Sequence, residues 1–92
     1  MSEKTAPALA KMDALLPLLQ ALPAGDDRDG LIEEGEALRR AIAAFHMEAI
    51  RFRMHSVERL LKNLGGTAQT TFDELRHALE TAGFHTRSHS AP

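Results

Sequence analysis

The residues that invite a chemical reading are five histidines, His46, His55, His77, His85 and His89, in a chain of 92 residues with no cysteine. A metal site on a helix wants ligands at i and i+3 or i+4. The step that best fits is Glu74 with His77, an Glu-x-x-His spacing of the kind used in di-iron bundles. Asp73 with His77 and His77 with Glu80 meet the same geometry, and His85 with His89 are four apart near the end of the sequence. Sites of the bundle type project inward from several helices, whereas Glu74 and His77 fall on the polar side of their segment, away from Leu75 and Leu79. Helix-surface electrostatics is therefore the expectation there, with a His/carboxylate metal site assembled between subunits as the alternative. His46 stands in a different pattern, one heptad from both Arg39 and Arg53. A row of Arg39, His46 and Arg53 along one helix edge could receive an acidic partner segment, or it could simply flank a core with its apolar stems.

Other chemistry finds little support. Ser2, Ser56, Ser88 and Ser90 are the serines, and none stands in a glycine-rich elbow beside a base. Gly65-Gly66 lacks the lysine and preceding strand of a phosphate-cradling loop. Absence of cysteine removes disulfides, thiolate zinc sites and thiol nucleophiles. A formal net charge of -2 supplies no general attraction to nucleic acid, and with neither tryptophan nor tyrosine there are few platforms for base stacking. A helix-turn-helix reading of the last two segments would turn Asp73, Glu74 and Glu80 toward the phosphates. No catalytic residue, cofactor, nucleic acid or membrane is expected. Lys4 and Lys11 ahead of the apolar run Ala14–Leu19 loosely imitate a secretory leader, but Asp13 adjoins the run and Gln20 interrupts it, so a cytoplasmic protein is expected.

The elements that must position these residues read as helices. Thr5 as N-cap, Pro7 in the first turn and Pro23-Ala24-Gly25 as stop predict a first helix from Ala6 to Leu22, kinked or broken at Pro17. Asp29 then caps a helix from Leu31 to Leu64 that contains no proline, carries acidic residues at its start and basic ones at its end, and stops at Gly65-Gly66. Such a helix would be about 50 Å long at 1.5 Å per residue. Thr71 and Glu74 form a capping-box pattern for a third helix ending at Ala82-Gly83. The expectation is thus all-α: an elongated three-helix unit with one long central helix, a single domain over 1–84 and a polar tail over 85–92.

Along the long segment the apolar face changes side. Leu31, Leu38, Ala41, Ile42 and Phe45 share one face, while Ile50, Met54, Val57, Leu61 and Leu64 share another about a quarter turn away at 3.6 residues per turn. Both sides are apolar in the middle, at Phe45, Met47, Ile50, Phe52 and Met54, and two short helices could not cover such a waist. The commonest cover is a second copy. On the opposite polar face Glu48, Arg51, His55, Glu58, Arg59 and Lys62 read as a solvent-facing lattice of mixed sign. The functional expectation is a non-catalytic helical protein-interaction module, a small accessory or regulatory subunit that pairs as a homodimer through its central helix and engages a partner by the Arg39–His46–Arg53 edge or the tail.

Overall fold

A computed structural model describes residues 3–64 and 66–84. After a turn of 3-10 helix at Glu3–Thr5 the chain forms α1 (Ala6–Gln20), α2 (Asp26–Ala43), α3 (Met47–Leu64) and α4 (Thr67–Thr81). The all-α expectation holds, but the long central helix does not: it is two helices, α2 and α3, joined at Ala44-Phe45-His46. The physical reason lies in the two apolar faces. A straight helix would leave each half uncovered on one side, whereas folding back brings Leu38, Ala41 and Ile42 into one core with Ile50, Met54, Val57 and Leu61. Burial in the tertiary fold outweighs a local helical propensity that is worth only tenths of a kcal/mol per residue.

The turn closes as a Schellman motif. The Phe45 amide donates to the Ile42 carbonyl at 3.1 Å and the His46 amide to the Ala41 carbonyl at 3.0 Å. That motif needs a left-handed residue, normally glycine, and here Phe45 adopts it with φ 61°. The sequence offers no stop signal at this point, which is why the break is illegible in it. At the end of α4 the same pair of bonds, Gly83 to Glu80 and Phe84 to Leu79, is made with a glycine in the left-handed position.

Other boundaries also move. α2 starts at Asp26, so Asp27 and Asp29 lie in its first turn, where they favour the positive end of the helix dipole, and Asp29 is not the cap. α4 starts at Thr67 after Gly66, placing Thr71 inside the helix instead of at its N-cap. Pro17 neither breaks nor ends α1, which runs through it to Gln20. Thr5 does occupy the N-cap position and Pro7 the first turn, although the Thr5 hydroxyl does not bond the first-turn amides.

Nor is the molecule elongated: its extents are 34 × 32 × 19 Å and its radius of gyration 12.3 Å, about what a folded chain of this length requires. The short axis is the thickness of two helix layers. α2 pairs with α3, α1 pairs with α4, α1 also lies along α2, and of these adjacent pairs and α3–α4 the last is the sparsest. Close approach of α1 to α2 depends on Gly35, where a Cβ would stand 3.1 Å from a Leu16 methyl and 3.2 Å from a Leu19 methyl. One core joins all four helices, with Met12, Leu15 and Leu19 of α1 meeting Leu31 and Leu38, Met54 and Leu61, and Phe72, Leu75 and Leu79.

Candidate interaction surface

Folding the central segment back divides the expected waist. Ile50 and Met54 have no solvent exposure within the single chain and belong to the core, so neither is available to a partner in this conformation. Phe45, Met47 and Phe52 stay outside, at 48%, 48% and 60% exposure, and these are the large apolar side chains exposed among the described residues. All three fall at the α2–α3 junction or on the first two turns of α3. Phe45 meets Phe84 edge to face with ring centroids 5.0 Å apart. Phe52 points away from the core stripe of its helix and has the Arg53 guanidinium 5.2 Å from its ring centroid. Of the five waist residues, three are thus on the surface and two are interior.

The Arg39, His46 and Arg53 row is not a continuous edge. Arg39 Nε donates to Asp13 of α1 at 2.8 Å, and Arg53 Nη1 donates to both carboxylate oxygens of Glu34 of α2 at 2.9 Å. Both arginines therefore serve contacts within the chain. His46 sits in the turn, exposed, its carbonyl accepting from the Ile50 amide at 2.9 Å to start α3.

These two ion pairs belong to a set of four. Lys11 of α1 lies 3.2 Å from Glu74 of α4, and Glu58 of α3 lies 3.0 Å from Arg76 of α4. Every helix gives one cation to one neighbour and one anion to the other. Pairs as exposed as Lys11 with Glu74 contribute roughly 0–1 kcal/mol. Arg76 differs, since its side chain is only 11% exposed and its guanidinium lies 5.1 Å from the Phe72 ring centroid. Its Nη2 is close enough to Glu58 for Coulomb attraction but off the line a hydrogen bond needs, leaving Nε and Nη2 buried without a hydrogen-bond partner. Glu58, read from sequence as part of a solvent-facing lattice, instead holds α3 to α4. Glu48 and Arg51 fit the lattice reading, paired at 3.2 Å three residues apart.

The Arg39 hydrogen bond, aided by its charge and opposed by slight desolvation, holds the Asp13 carboxyl below the usual aspartate range. Its pKa is therefore lower in the folded than in the unfolded chain. The resulting stability is full above the ordinary aspartate range and is lost as pH falls through the depressed native value. Asp13→Asn is expected to lower the thermal midpoint at neutral pH, with the gap to wild type closing in acid. A gap that stays constant to the acid end would show that ionisation of Asp13 contributes nothing.

For metal chemistry, Glu74 turns toward Lys11 and His77 is exposed on α4, while His85 and His89 lie outside the described residues. Among the described residues no three histidine or carboxylate side chains converge as a metal site would require. No helix among them is long and apolar enough to cross a membrane. The fold and this surface define a small all-α protein with four α-helices among the described residues and an apolar cluster at one helix junction. Comparison with models of known protein families, with curated protein sequences and with solved structures finds no match to the chain.

Proposed function

We propose that the protein is a non-catalytic helical interaction module that associates with a second copy of itself through the α2–α3 junction, acting in the cytoplasm as a small accessory or regulatory subunit. The observation that carries this reading is the concentration of Phe45, Met47 and Phe52, the exposed large apolar residues among those described, within one turn and the start of one helix. Scattered single apolar residues are ordinary on a protein surface, whereas a local cluster marks a contact. Large aromatic and methionine side chains are also the types enriched where proteins meet.

Sedimentation equilibrium over a concentration series tests the proposal. Wild type is expected to dimerise, and Phe52→Glu to weaken the dimer by at least tenfold while keeping full helicity, because its ring is mostly outside the core. A carboxylate in an apolar contact loses hydration without gaining a partner. Glu33→Lys, at an exposed position on α2, should leave association unchanged. A wild type that remains monomeric at millimolar concentration overturns the proposal.

A further inference from the structure

The turn at Ala44-Phe45-His46 has two features that pull against each other. It requires a left-handed residue, yet a phenylalanine occupies it at φ 61°, a conformation that bulky side chains rarely adopt. The surrounding segment, Ile42-Ala43-Ala44-Phe45-His46-Met47-Glu48-Ala49-Ile50, contains neither glycine nor proline and is rich in good helix formers. Nothing covalent or steric in it forbids a helix that continues from Asp26 to Leu64. In such a helix Phe45 shares the face of Leu31, Leu38, Ala41 and Ile42. It is half exposed in the folded-back form, and straightening would carry it onto an apolar face.

We infer that α2 and α3 can straighten into one helix and that two copies of the chain then exchange halves, α1–α2 of each packing on α3–α4 of the other. The partner is a second copy because the surfaces uncovered on opening are already complementary: α2 is built to receive α3, and α1 to receive α4. The core contacts between Ile42 and Ile50 faces re-form between chains. So do two ion pairs, Glu34 with Arg53 and Lys11 with Glu74, while Asp13 with Arg39 and Glu58 with Arg76 stay within each chain. The exchange removes the left-handed phenylalanine and brings the two copies of Phe45 together near the twofold axis. Short strained connections are the usual route to exchange of this kind. The inference rests on the self-association proposed above and specifies its geometry.

The chain has no cysteine, so engineered thiols report on their own positions alone. Glu34→Cys with Arg53→Cys spans α2 and α3, and Asp13→Cys with Arg39→Cys spans α1 and α2. Each double variant is refolded at millimolar concentration, its dimer fraction isolated by gel filtration, treated with a short bis-maleimide and run under denaturing conditions. The exchanged dimer is expected to give the first pair at dimer mass and the second at monomer mass. Because opening must break the α2–α3 contact, the isolated dimer should also persist for hours after dilution. Phe45→Gly, which suits the folded-back turn and disfavours the continuous helix, should lower the dimer yield at least tenfold with helicity retained. A dimer whose 34–53 link runs at monomer mass sinks the exchange and leaves self-association standing. No dimer from wild type or any variant overturns both.

Discussion

Ile50→Glu is expected to leave the chain largely unfolded, with most of its helical circular dichroism lost at 25 °C, irrespective of concentration. Ile50 has no exposure and lies in the core among residues of all four helices. Its burial is worth roughly 1.5–3 kcal/mol, and forcing an unpaired carboxylate into the same place costs several kcal/mol more or drives its protonation. A domain of this size has about 5–14 kcal/mol in total, at roughly 0.05–0.15 kcal/mol per residue. The contrast with Phe52, two positions away and mostly exposed, is what makes the result informative. If Ile50→Glu instead kept native helicity and only dissociated a dimer, Ile50 would lie between subunits and the folded-back core would be wrong.

Phe72→Ala is expected to cost about 3–5 kcal/mol, the usual range for truncating a buried phenylalanine, and to lower the thermal midpoint by about 15 °C or more. The ring is fully buried at the centre of α4, in a stripe completed by Ala68, Leu75 and Leu79. It also forms the floor under the Arg76 guanidinium. Removing the ring leaves a cavity and withdraws a cation–π contact from a charge with few other partners. Phe72→Leu should recover much of the packing but none of the ring contact. Thermal unfolding of the two variants with and without Arg76→Met separates these parts, because the ring's contribution to Arg76 disappears when the charge is gone. A loss of less than 1 kcal/mol in Phe72→Ala would show that α4 is not anchored by this side chain.

How far the sequence could be read depended on whether a feature is local. Apolar spacing identified the helical stripes, because a 3.6-residue period survives any arrangement of the helices: Ile50, Met54, Val57 and Leu61 of α3 and Phe72, Leu75 and Leu79 of α4 are buried, although Ser56 and Ala68 are buried as well and Leu64 is only partly so. Gly83 was legible as a terminus because its left-handed conformation acts within a few residues, whereas Thr5 holds the N-cap position without the capping hydrogen bond that singled it out. The break at Phe45 was not, since the turn puts an aromatic where glycine is expected and is imposed by contacts between residues far apart in sequence. The shift of the apolar face between Ile42 and Ile50 was its only trace, and a straight helix accounts for that shift equally well. Thr71 misled for the opposite reason: a valid local pattern was overridden once Gly66 offered an earlier start. Among candidate site residues, Phe45, Met47 and Phe52 could be singled out by type. Separating them from Ile50 and Met54 required knowing where the chain turns. Arg39, Arg53 and Glu58 looked like free edge charges because their partners are 26, 19 and 18 positions away.

The circuit of ion pairs bears on how the molecule comes apart. Among the described residues each pair of neighbouring helices shares a bridge, and α3 with α4, the neighbours that touch least, have the most buried of these four. The sparsest seam is therefore the one reinforced by the charge pair least screened by water. The bridges themselves are weak, and what ties each helix to the rest is the single apolar core to which all four contribute. Added salt weakens the exposed bridges most, both of those made by α1 among them, while the apolar core continues to join all four helices. Loss of structure in such an arrangement is shared, and probes placed on different helices should report a single cooperative transition.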